Sequence, residues 1–96
     1  MNEDSLKAVR LRISGQVQGV WFRAWTVEQA RALGLDGWVR NRRDGTVEVL
    51  AAGDPDAIRR LISLCHDGPP AARVDQVEVE AAKGVTPHGF DQKPTV

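Results

Sequence analysis

Residues 6–14 alternate apolar and polar side chains, with Val9, Leu11 and Ile13 on one face and Arg10, Arg12 and Ser14 on the other. A period of two marks a half-buried strand. Gly15 and Gly19 then punctuate residues 15–21 as a loop. From Phe22 the period lengthens: Phe22, Thr26, Ala30 and Leu33 recur at helical spacing, and Gly34 stands where a helix ends. Residues 36–41 read as a second strand and residues 45–53 as a third. In the third, Val47, Val49 and Ala51 share one face, leaving Thr46, Glu48 and Leu50 for the open one. The two strands join across Arg42-Arg43-Asp44-Gly45, and Asp-Gly is a hairpin signal because the turn needs positive φ.

Asp54-Pro55 opens a second helix, with Asp54 as N-cap and Pro55 at the first helical position. Ile58, Leu61, Ile62 and Cys65 form its apolar stripe, and Gly68-Pro69-Pro70 ends it. Val77, Val79 and Ala81 alternate with Glu78 and Glu80 in a fourth strand. Val74 is out of phase with them, which calls for a bulge near Asp75 or a later start. Residues 84–96 are loop-like, with Phe90 placed to anchor a short final edge strand. The order βαββαβ predicts an α+β, ferredoxin-like split βαβ fold: an antiparallel sheet with two helices on one face. No repeat or linker divides the chain, so one domain over residues 1–96 is expected, with residues 1–5 flexible.

Composition narrows the function classes. The 96 residues are 42% hydrophobic and 27% charged, an ordinary globular balance. Thirteen basic residues offset thirteen acidic ones. Zero net charge argues against a general nucleic-acid binder, which needs a basic excess. No stretch reaches the roughly 20 apolar residues of a membrane span, and the N-terminus is polar and acidic where a signal peptide is basic then apolar. A single cysteine excludes an internal disulfide and a multi-cysteine zinc site. These features predict a soluble cytoplasmic domain, a monomer by default.

Most candidate sites fail on geometry. Cys65 and His66 are adjacent, so on a helix they point about 100° apart, and Cys65 lies on the apolar stripe. His88, between Pro87 and Gly89, reads as a loop residue. The acidic residues lack the paired spacing of metal or acid–base sites. Trp21, Trp25 and Trp38 read as core or pocket lining rather than a stacking platform for bases. Single-stranded RNA binding of the kind this fold class supports would need aromatics on the central strands, where Arg10, Arg12, Thr46 and Glu48 stand instead.

One junction survives. In Ile13–Arg23 a glycine-bounded loop runs from a strand into a helix N-terminus, where backbone N–H groups lack intrahelical partners and the helix dipole is positive. Gly19 lets the backbone approach an anion, and Arg23 in the first turn can close over it with a two-pronged contact. On these residues alone, a tight turn with a surface arginine is an equal alternative. The glycine spacing is that of neither a dinucleotide fingerprint nor a P-loop.

The segment Ser14-Gly15-Gln16-Val17-Gln18-Gly19-Val20-Trp21-Phe22-Arg23 resembles the first signature of the acylphosphatase family. Gly37-Trp38-Val39-Arg40-Asn41, with Gly45, Val47 and Gly53, is similar to the second. The likeness runs from about Leu6 to Glu80 and is loose over the last residues. It implies hydrolysis of small acyl phosphates to a carboxylate and inorganic phosphate, with no metal or cofactor. By position it implies a phosphate cradle over Gln16, Val17, Gln18, Gly19 and Val20, a phosphate-binding Arg23 and a water-orienting Asn41. Arg40, Arg42 and Arg43 then read mainly as solvated hairpin charges, with one of them free to steer anions. A noncatalytic module holding a phosphorylated ligand is the alternative, since similar domains occur inside larger maturation proteins. Retention of both Arg23 and Asn41 in this chain favours the enzyme.

Overall fold

A computed structural model describes residues 7–96. The expected flexibility of residues 1–5, and the strand start at Leu6, lie outside the described residues. The elements are β1 (Ala8–Gln16), α1 (Phe22–Ala32), β2 (Asp36–Asn41), β3 (Val47–Ala52), α2 (Pro55–Asp67), β4 (Arg73–Ala81) and β5 (Phe90–Gln92). They build one five-stranded sheet in the order β4-β1-β3-β2-β5. The alternation of β1 and β3 and the stripes of α1 and α2 converge on one core, made of Val9, Leu11, Ile13, Val39, Val47, Val49, Phe22, Ala30, Ile58 and Leu61. This is the ferredoxin-like arrangement, with one correction. The four long strands pair antiparallel, but β5 runs parallel to β2, so the sheet is mixed. A long connection from β4 brings the chain back to the far edge, where Phe90 reaches the core, 2% exposed.

Strand ends differ from the sequence reading for identifiable reasons. β1 continues through Gly15 and Gln16, which the glycine had suggested were loop. The register with β4 steps from Ser14↔Gln76 to Gly15↔Val74, so Asp75 is the extra residue of a bulge. That is the bulge Val74's phase demanded, and it keeps the two strands paired past Ser14. A side chain at Gly15 would collide with the Arg73 carbonyl, so glycine there permits pairing rather than ending it. β3 starts at Val47, two residues later than expected. Residues 42–46 form the turn: Gly45 N–H donates to Arg42 O at 3.0 Å, and Asp44 Oδ1 accepts from the Thr46 N–H and hydroxyl at 2.9 and 2.7 Å. Those bonds from Thr46 hold the exposed Asp44 carboxyl below its ordinary value.

The open face of the sheet holds a second correction. Glu48 and Leu50, expected on a solvated face, are buried at 4% and 8% exposure. Glu48 lies under arginines from the neighbouring strands. Arg40 Nε donates to Glu48 Oε1 at 2.7 Å and Arg42 Nη1 to the same oxygen at 3.0 Å, while Arg10 Nε lies 3.6 Å from Oε2. Burial pushes the Glu48 carboxyl up, but the arginine hydrogen bonds outweigh it and hold the group below its ordinary value. Arg40 also covers the Trp38 ring at 4.6 Å.

Candidate active site

Strand direction decides where the site forms. β1 and β2 are both antiparallel to β3, which lies between them, so they run parallel to one another. β5 is parallel to β2. The C-terminal ends of β1, β2 and β5 therefore point the same way, and the register sets Ile13, Val47 and Asn41 in one row. The loop leaving β1 and the last residue of β2 meet at that end, although neither strand touches the other.

A pocket of about 370 Å³ opens there, lined by Val17, Gly19, Trp21, Phe22, Arg23, Ala24, Asn41 and Gln92. The helix α1 begins inside it without a side-chain cap. Its N-cap residue, Trp21, takes a left-handed backbone (φ 66°), the one described non-glycine residue with positive φ. A bulky side chain held in that region marks stored strain, a recurrent property of functional loops. The first bond of the helix runs from Trp25 N–H to Trp21 O at 3.0 Å. The N–H groups of Phe22, Arg23 and Ala24 therefore have no partner along the helix, and no acidic residue occupies the first turn. These N–H groups carry the positive end of the helix dipole, and Arg23 lines the same pocket.

Among the residues assigned to the cradle, Val17 and Gly19 form pocket wall. Gly19 takes φ 74°, with open space where a side chain would stand, so the conformation and not crowding selects glycine. Gln16 is the last residue of β1, paired with Arg73, and Val20 packs against the core. Gln18 turns away from the pocket: its Nε2 donates to Arg42 O at 2.7 Å and Thr46 O at 2.9 Å. It ties the loop to the hairpin that follows Asn41. Nothing in local spacing indicates a bond spanning 28 residues.

Asn41 lies in the same pocket as Arg23. Its Oδ1 is buried and takes no hydrogen bond from any described residue. Buried amide oxygens are nearly always paired, so an unpaired one on a residue that lines the pocket is an exception in this fold. The flanking arginines have other work: Arg40 and Arg42 face the opposite side of the sheet and bind Glu48, while Arg43 is exposed. Trp21 lines the pocket at 81% exposure, so it is rim rather than core. Gln92 was missed by the sequence reading, which placed a short edge strand at Phe90 but had no local signal for the parallel pairing that brings Gln92 to the pocket. Cys65 is buried, and burial pushes its thiol up to about 12, consistent with an inert core position. His88 is exposed, with Nδ1 3.4 Å from Asp36 Oδ1, away from the pocket residues. No helix among the described residues is long and apolar enough to cross a membrane.

Residues 9–92 match the sequence pattern of the acylphosphatase family. The chain is 61% identical to an acylphosphatase of Rhizorhabdus wittichii over 93% of its length and 90% of that protein's. It is 52% identical to one of Rhodospirillum rubrum over 95% of its own length and 100% of that protein's. Among solved structures it is similar to an acylphosphatase from Coxiella burnetii, with a TM-score of 0.87 at 36% identity, covering 91% of this chain and 92% of that one.

Proposed function

Because the chain belongs to the acylphosphatase family and is an enzyme of that kind, we propose that Arg23 and the loop over residues 16–20 hold the phosphate of a small acyl phosphate while Asn41 aligns water for attack. The observation that carries this reading is the buried, unpartnered Oδ1 of Asn41 in the pocket that also holds Arg23. An amide oxygen is a hydrogen-bond acceptor and no base at neutral pH. Its contribution is orientation: it accepts a hydrogen bond from the water and turns the lone pair toward phosphorus.

The chemistry asks for little more. Water attacks in line, a new P–O bond forms and the bond from phosphorus to the acyl oxygen breaks. The electron pair leaves with a carboxylate whose pKa is roughly 4, so no general acid is needed. One water proton passes to a phosphoryl oxygen. Charge on the equatorial oxygens is met by the guanidinium and the open N–H groups of Phe22, Arg23 and Ala24. A neutral chain suits this reading, since one phosphate needs one placed cation and not a basic surface. We read residues 1–96 as a single cytoplasmic domain, monomeric, acting without metal or cofactor and without nucleic-acid or membrane partners.

The test is hydrolysis of benzoyl, acetyl and carbamoyl phosphates, with a phosphomonoester as control. The expected result is turnover of the acyl phosphates and inertness of the ester, whose alkoxide leaving group needs a general acid. Binding of inorganic phosphate without turnover of any acyl phosphate would overturn the reading in favour of a noncatalytic module.

A further inference from the structure

Gln92 belongs to neither signature segment, yet it lines the pocket with Arg23 and Asn41. Its strand is three residues long but well fixed. Gly37 N–H donates to Gly89 O and Lys93 N–H to Val39 O, both at 2.8 Å. From the last turn of α1, Arg31 donates to Phe90 O at 3.1 Å and to Asp91 Oδ1 at 3.2 Å. The backbone is thus held on both sides of Gln92. Register pairs Gln92 with Val39, and both Val39 and Phe90 are buried toward the helices. The period of two then directs the Gln92 side chain to the same face, where the pocket opens.

Asn41 lies two residues beyond Val39 on the adjacent strand. The two side chains stand on one face of adjacent strands and line the same pocket, where one water can bridge them. In an in-line displacement the attacking water and the departing carboxylate lie on opposite sides of phosphorus. A residue beside Asn41 is therefore on the water's side and away from the acyl group. Building on the hydrolytic reading above, we infer that Gln92 is a second water-orienting residue, its Oε1 accepting a hydrogen bond from one O–H of the attacking water while Asn41 Oδ1 accepts one from the other. The reason for two acceptors is geometric. A water held by one hydrogen bond still rotates about it, whereas two acceptors fix both O–H directions and leave a lone pair for phosphorus. Once the P–O bond has formed and the acyl oxygen has left, one of these hydrogen bonds breaks and that proton passes to a phosphoryl oxygen, while the other remains on the new hydroxyl. No described residue hydrogen-bonds to the Gln92 side chain, which leaves its amide available for this contact.

The test compares full-length Gln92→Leu and Gln92→Met with wild type in benzoyl phosphate hydrolysis and in inhibition by inorganic phosphate. Met keeps the length of Gln and removes its acceptor. Both variants are expected to lose about tenfold in kcat, the scale of one hydrogen bond, with KM and phosphate inhibition within about twofold and the melting temperature unchanged. Combined with Asn41→Ala, Gln92→Met is expected to add less than its own factor, because both residues act on one water. Unchanged kcat in Gln92→Met, an equal loss in phosphate binding, or fully multiplicative losses in the double variant overturns the inference. A wild-type enzyme inactive on benzoyl phosphate overturns the hydrolytic reading itself, which is a different result from an active wild type indifferent to Gln92.

Discussion

At the entry to α2, Asp54 accepts from Asp56 N–H at 3.4 Å, Pro55 occupies the first turn and Asp56 adds negative charge. At the entry to α1, Trp21 stands at the cap with no side-chain bond, in a left-handed conformation, and the first turn has no acid. Both junctions lead from a strand into a helix across the same sheet, and both carry the positive end of a helix dipole. At α2 the chain's own carboxylates meet that potential. At α1 no acidic side chain of the first turn meets it, and Arg23 and Asn41 line the pocket where the helix begins. The same backbone element is a capped joint in one place and an uncapped one in the other, where we propose that phosphate binds, and the cap residue makes the difference.

Removing the cation at the open junction is the largest way to break this contrast. Arg23→Ala is expected to lose on the order of a thousandfold in kcat/KM for benzoyl phosphate, with far-ultraviolet circular dichroism unchanged. Asn41→Ala should lower kcat by about a hundredfold, while inhibition by inorganic phosphate stays within about twofold of wild type. A comparable loss in phosphate binding would mean that Asn41 holds phosphate and does not orient water. The contrast can also be erased by making α1 resemble α2. Ala24→Asp places a carboxylate in the open first turn, and inorganic phosphate inhibition should weaken at least tenfold while the melting temperature holds or rises slightly.

Asp54→Ala works from the other side. It should cost about 1 kcal/mol of stability, read as a melting point lower by roughly 4–8 °C, and leave the kinetic constants as they were. Activity lost in proportion to stability would show that the two junctions are not separable. The smallest effect at neutral pH concerns Cys65. Its thiol is raised from 9.0 to about 12 by burial, so the folded form keeps the proton that the unfolded chain gives up. The sign follows: its contribution is fully present below pH 9 and is lost as pH rises toward 12. The urea midpoint should fall across that window and stay level with pH, as far as Cys65 is concerned, around pH 7.

The comparison also separates what was legible in residues from what was not. Asp54-Pro55 could be read directly, because a cap acts within three residues of itself. The bulge at Asp75 was legible too, since Val74 falls out of phase with Val77 and Val79. Arg23 stood out as a candidate from its place in the first turn after the glycine loop, with a surface arginine as an equal alternative. Asn41 and its pairing with Arg23 were visible only through the likeness to a family, since no local rule joins residues 18 positions apart. Gln18 and Gln92 show the limit best. One was assigned to the phosphate cradle and turns its side chain to the hairpin, and the other carried no local signal and reaches the pocket.

Alone, the sequence determined the elements and their order, the position of one helix cap and the apolar faces that meet in the core. These depend on periodicity, backbone preference and short-range hydrogen bonds, all of which act between near neighbours. Tertiary structure decided the parallel pairing of β5, the burial of Glu48 beneath three arginines, and the left-handed turn at Trp21. It also decided that the ends of β1, β2 and β5 converge. Each depends on what another strand presents at a given row of the sheet, and the pleat fixes that row only once every strand is in place.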